Sequence, residues 1–94
     1  MNEIVLTQMP AFKRIYKKLV AVEKKLIDDA IKAIIKQPEL GEEKKGDLAG
    51  VFVYKFKSGS KEWLLAYEWD VQQRVLLALG VHQNFYRDLR KRLY

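Results

Sequence analysis

The 94-residue sequence predicts an α+β domain of order β-α-α-β-β-β-α. An antiparallel sheet carries a helix pair on one face, and a short C-terminal helix closes the chain. Three observations lead there. Apolar residues recur at helical spacing from Phe12 to Ile35, the pattern turns strand-like at Val51, and three strand-like runs follow with short connections.

The first run, "EIVLT" (Glu3 to Thr7), is short and rich in β-branched residues, and reads as a strand. Phe12, Ile15, Tyr16 and Leu19 then share one helix face, with Arg14 and the lysines opposite. Val22, Leu26, Ala30, Ile31, Ile34 and Ile35 repeat the pattern up to Pro38, where a helix is expected to stop. One helix across both segments would be about 26 residues and roughly 39 Å long, too long for a small domain. Two helices with a break near Val20 to Val22 are therefore expected, although no Gly or Pro marks it. "PELGEEKKGDLAG" reads as a loop. "VFVYKFK", "EWLLAYEWD" and "RVLLALGV" read as a meander, with "SGS" as the first turn. In the tail "NFYRDLRKRLY", Phe85, Leu89 and Leu93 lie four apart and predict the last helix.

Residues 1–94 are expected to form one domain with one modest core. There is no cysteine, which excludes a disulfide framework and thiolate chemistry. No zinc spacing, phosphate-cradling glycine loop or Ser-His-Asp set calls for a metal or cofactor. No run is long and apolar enough for a bilayer and no leader is evident, so a cytoplasmic protein without membrane contact is expected. Eighteen Lys and Arg against twelve Asp and Glu give a formal +6, an excess that attracts polyanions. Past Asp70 only Asp88 is acidic, while Arg87, Arg90, Lys91 and Arg92 crowd the end.

Alternation along a strand sorts residues between the two sheet faces. Trp63, Leu65, Tyr67 and Trp69 are the bulky set of the middle strand, and Val75, Leu77, Leu79 and Val81 that of the last. Both are expected against the helices. The sets with small residues, among them Ala66, Ala78, Gly80 and His82, are expected to line an open face. The first meander strand admits two registers. Either Phe52, Tyr54 and Phe56 face the helices and Lys55 and Lys57 join His82, or Phe52 and Tyr54 lie on the open face instead. The cost of burying two unpaired ammonium groups favours the first.

"LGEEKKGDLAGVFVYKFK", "WLLAYEWD" and "ALGVHQNFYRDLRKRL" together resemble the RelE/ParE superfamily of toxins from bacterial type II toxin–antitoxin modules. With the helix pair, the resemblance covers nearly the whole chain. It implies a RelE-like fold and a toxin neutralised by a cognate antitoxin. RelE-like members cut mRNA on the ribosome, whereas ParE-like members poison DNA gyrase on the same fold. The fold alone does not choose between them.

Metal-free RNA cleavage needs a base for the 2′-OH, an acid for the 5′ oxygen and cations for the phosphate. The resemblance implies His82, Tyr86 and Arg87 as the catalytic group, with His82 as general acid or base and Tyr86 orienting a base of the RNA. It implies Lys45, Lys55, Lys57 and Arg90 as RNA and phosphate contacts. The ordinary readings stand beside these: a strand-end histidine caps or faces solvent, strand lysines discourage edge pairing, and terminal arginines are a solvated face. The sequence also departs from the nuclease pattern. Leu64 stands where a middle-strand arginine is expected, and Phe52 where related sequences often have arginine, so Lys61 is a candidate substitute. The missing arginine keeps gyrase inhibition as the alternative, with a decayed or purely nucleic-acid-binding module as a third reading.

Overall fold

The computed structural model describes residues 3–81 together with Phe85, Tyr86, Leu89 and Arg90. Its elements are β1 (Val5–Gln8), α1 (Pro10–Tyr16), α2 (Ala21–Lys36), β2 (Glu42–Glu43), β3 (Phe52–Ser58), β4 (Lys61–Trp69) and β5 (Gln73–Gly80). Short 3-10 turns at Pro38–Leu40 and Gly46–Leu48 flank β2. The sheet runs β1-β5-β4-β3-β2.

This corrects the expected order β-α-α-β-β-β-α in three ways. The sheet has five strands, because the presumed loop contributes β2, paired antiparallel to β3. β1 pairs parallel to β5, so the sheet is not wholly antiparallel. Among the described residues the delimited elements end at Gly80 with no C-terminal helix among them, although Phe85, Tyr86, Leu89 and Arg90 have helical backbone. β2 has only two residues, both glutamates, and so carries no apolar alternation that would announce a strand. It forms because Gly46 and Gly50 take positive φ (69° and 87°) and bring Lys44 N–H back to Val51 C=O at 2.8 Å. β1 finds β5 across some 68 positions of sequence, a pairing on which turn signals are silent.

The helix pair divides where the length limit requires. Lys18 and Leu19 N–H turn back to Ile15 and Tyr16 C=O, and Val20 is extended. The Glu23 carboxylate accepts Val20 N–H at 3.2 Å, half of a capping box. Glu23 is therefore the start signal that a search for Gly or Pro overlooks. Tyr16 donates to Asp28 at 2.7 Å and ties α1 to α2.

The sheet carries apolar clusters on both faces. Under the helices lie Phe12, Ile27, Ile31, Ile34, Trp63, Leu65, Tyr67, Leu76 and Leu79. Phe52, Tyr54 and Phe56 pack against them, which is the register with the lysines outward. At Ser58 and Lys61 the strands close on a two-residue turn, with Gly59 at φ 62° as the twist of a hairpin requires.

The expected parity of β5 fails. Ala66 pairs with Ala78 but Tyr67 pairs with Leu76, so Leu77 is an inserted residue. A bulge reverses alternation beyond it. Leu76 replaces Val75 and Leu77 under the helices, and Val75 and Leu77 join the opposite cluster. Nor is the opposite face open. Leu48, Phe85 and Leu89 cover Val51, Val53, Leu64, Ala66 and Ala78 there. Leu64, Leu77 and their neighbours present too much apolar surface to leave in water.

Tyr67 anchors the start of the β2 segment. Its hydroxyl donates to Pro38 C=O at 2.5 Å and accepts Gly41 N–H at 2.9 Å. Gly41 must lack a side chain, since a Cβ would stand 2.6 Å from that oxygen. Tyr67→Phe leaves both backbone groups buried and unpaired, an expected loss of about 1–3 kcal/mol by urea denaturation. Burial, opposed by the Gly41 bond, raises the phenol pKa above its ordinary value. The folded state therefore favours the protonated phenol. Its contribution is complete below the unfolded phenol's pKa of about 10 and is lost as pH rises through the folded value. The wild type should lose stability above about pH 10 more steeply than Tyr67→Phe.

Candidate functional site: a cationic face beside Tyr86

Pairing of Val53 with Ala66, both in the second cluster, sets the face of every other β3 residue. Lys55 and Lys57 follow Val53 at the two-residue period, and both are exposed on this side. The chain leaves β5 through Gly80, where a Cβ would come within 2.9 Å of the Phe85 ring. The bare glycine thus lets Phe85 seat on the sheet. Tyr86 lies beside it, edge to face at 5.5 Å between ring centroids, half-buried against the second cluster.

Around Tyr86 lies an open depression of about 340 Å³ lined by Lys44, Lys45, Leu48, Tyr86 and Arg90. The Lys44 ammonium stands 4.8 Å above the Tyr86 ring and 2.6 Å from Glu42 Oε1. Its pKa is raised first by that bond, against a desolvation that lowers it. Arg90 Nε pairs with Asp47 at 3.2 Å. The buried Tyr86 hydroxyl has no hydrogen-bond partner of good geometry among the described residues, although Lys44 is near enough to feel it. No ion pair among the described residues engages Lys45, Lys55 or Lys57.

Of the residues expected at the site, Lys45, Tyr86 and Arg90 line one depression, and Lys55 and Lys57 share its sheet face. His82 and Arg87 lie outside the described residues. Lys44 was not foreseen. Its neighbour Lys45 is the lysine that the family resemblance implies, and only the backbone pairing of Lys44 to Val51 reveals which lysine turns inward. Lys61, the candidate substitute for the missing arginine, stands on the opposite sheet face from Lys55 and Lys57. It bonds Glu23 at 3.4 Å and lies over Trp63, on the helix side. Leu64, in the arginine's place, is buried in the second cluster, and Phe52 packs under the helices.

A family model described as a ParE-like toxin of type II bacterial toxin–antitoxin systems matches residues 6–90. The chain belongs to this ParE-like toxin family. It is thus a toxin of a type II module, related to RelE and ParE. The free E. coli toxin RelE, in a doubly substituted form, matches this ParE-like toxin with a TM-score of 0.73 and 14% identity, over 98% of this chain and 99% of that one. The RelBE2 toxin–antitoxin complex of Mycobacterium tuberculosis matches at 0.70 and 18% identity, over 85% and 99%. The intact E. coli RelBE toxin–antitoxin complex matches at 0.66 and 16%, over 85% and 98%. At these identities the structures share a fold with the toxin. No curated protein matches. Among the described residues there is no group of three or more His, Cys, Asp or Glu that could hold a metal ion, and no helix is long and apolar enough to cross a membrane.

Proposed function

We propose that this toxin is a metal-independent endoribonuclease that cuts mRNA on the ribosome and is restrained by a cognate antitoxin. The gathering of Lys44, Lys45, Lys55 and Lys57 on the sheet face that holds Tyr86 carries the reading. Cleavage joins the 2′ oxygen to phosphorus and releases the 5′ oxygen. Two proton transfers and stabilisation of charge on the phosphate suffice for it. Lysines on this face can hold the phosphate, and Tyr86, with Lys44 over its ring, can orient a base. His82 and Arg87 enter from the sequence alone: His82 comes two positions after the last residue of β5, and an imidazole is the side-chain type suited to acid–base work near neutral pH. The ribosome supplies substrate geometry to a site with so few groups. The antitoxin is inferred from the family and from the complexes that share the fold. An acidic segment would suit a +6 partner.

The test is induction of the toxin followed by primer extension on cellular mRNA, beside a supercoiling assay with purified gyrase. New mRNA ends without gyrase inhibition support the reading, and gyrase inhibition without new ends overturns it. One observation favours that second outcome: Leu64, buried where a cation is expected, removes a phosphate contact from β4. The double variant Lys55→Gln/Lys57→Gln should reduce cutting by about 10²-fold or more, as loss of transition-state donors does. Its thermal midpoint should be unchanged, since both ammonium groups are exposed.

A further inference from the structure

We propose that Lys44 is the phosphate anchor of this face and that Glu42 is its built-in counter-ion, displaced when an RNA phosphate arrives. The inference rests on the nuclease reading and assigns roles within it.

The β2 register separates two adjacent glutamates that the sequence cannot tell apart. Glu42 pairs with Val53, and Glu43 with Phe52. Val53 belongs to the second cluster and Phe52 packs under the helices. Cross-strand partners share a face, so Glu42 alone points to the cationic side. Lys44 is two residues further and turns the same way. Lys55, two residues past Val53, acts electrostatically on the Glu42 carboxylate from β3. Glu42 thus stands between two lysines of the candidate site.

The two partners of the 2.6 Å ion pair are held differently. The Lys44 side chain is 21% exposed, fixed between Glu42 and the Tyr86 ring, whereas that of Glu42 is 69% exposed. The lysine is preorganised and the glutamate is free to swing into solvent. A fixed cation facing an open depression, with a loosely held anion on it, is suited to exchanging one anion for another. In the free protein Glu42 offsets the charge of Lys44 and Lys55. On binding, a phosphate oxygen takes its place at the ammonium, and the buried Tyr86 hydroxyl gains an acceptor. The bond from Lys44 also holds the Glu42 carboxyl below its ordinary pKa. That makes it ionised and weakly basic at neutral pH, which suits a counter-ion better than a general base.

The experiment measures binding of a short labelled single-stranded RNA to the purified full chain by fluorescence anisotropy across salt concentrations. Cutting is followed in parallel by primer extension. Glu42→Gln should bind about 5-fold more tightly at low salt, the scale of one exposed charge interaction, and should still cut. Glu42→Ala should change binding in the same direction, which separates charge from a packing effect of the amide. Lys44→Gln should bind more weakly, with the slope of log K against log salt shallower by about 0.7, one phosphate contact on a single strand. If Glu42→Gln binds no more tightly, or loses cutting as a general-base variant would, the counter-ion role is overturned while the nuclease reading stands. If Lys44→Gln binds as the wild type does, the anchor role is overturned. A wild type that neither binds RNA nor cuts mRNA overturns the nuclease reading and the inference with it.

Discussion

Replacing Arg74 by methionine should destabilise the toxin by about 3 kcal/mol, more than any single exposed charge contributes. Arg74 is the buried cation of the helix-side core, 4% exposed. Its Nε donates to Ile34 C=O at 2.9 Å and its Nη2 to Ile35 C=O at 2.9 Å, the closing carbonyls of α2. Its Nη1 donates to Asp70 C=O at 2.7 Å and Gln73 C=O at 3.0 Å, and the guanidinium stands 5.6 Å from the Trp69 ring. A cation at a helix C-terminus also meets the negative end of the helix dipole. Methionine keeps the volume but leaves the carbonyls unpaired, each lost bond to a charged donor being worth about 1.5–3 kcal/mol. Part is recovered because the guanidinium no longer has to be desolvated. The thermal midpoint should fall by more than about 10 °C. Arg74→Lys should recover less than half of the loss, since one ammonium cannot span carbonyls on both α2 and the β4–β5 turn. A methionine variant within about 1 kcal/mol of wild type by urea denaturation would show that apolar packing alone holds α2 on the sheet.

His82→Ala should lower mRNA cutting by about 10²–10⁴-fold, the usual contribution of a positioned acid or base. RNA binding should change little, because the phosphate contacts are assigned to Lys44, Lys55 and Lys57. That pattern differs from Lys55→Gln/Lys57→Gln, which should lose both binding and cutting. Growth arrest is the first readout and primer extension the deciding one. If His82→Ala arrests growth and cuts mRNA like the wild type, the histidine has no part in the chemistry and the proton transfers must be reassigned.

The face of β3 was legible because a strong cost decides it. Burying two lysines is expensive, so Phe52, Tyr54 and Phe56 had to face the helices, and they do. The helix break was legible only as a limit on length, and its chemical signal, Glu23, is evident once its partner Val20 is known. Val75 and Leu77 were assigned to the wrong face because one inserted residue inverts a period-two pattern without altering composition. Arg74 opens the "RVLLALGV" run, and nothing in that run marks it for burial. Its partners are carbonyls 39 and 40 residues away, groups that every residue carries and no sequence pattern marks.

The site divides along the same line. The face of Lys55 and Lys57 is legible from residue type and strand period, whereas Tyr86, Lys45 and Arg90 are candidates through the family resemblance. Lys44 and Glu42 could not be chosen from "GEEKKG", where two glutamates and two lysines stand side by side. The sequence by itself determined the α+β class, the helix pair, the meander, the excess of positive charge and the family resemblance. These follow from local periodicity, composition and residue order, which the chain carries wherever it folds. Only the tertiary structure decided the parallel β1–β5 pair, the bulge at Leu77, the covered second face and which of two lysines lies over Tyr86. Those depend on distant backbone pairing and on a shift of a single residue in register, and neither leaves a periodic trace in the amino-acid order.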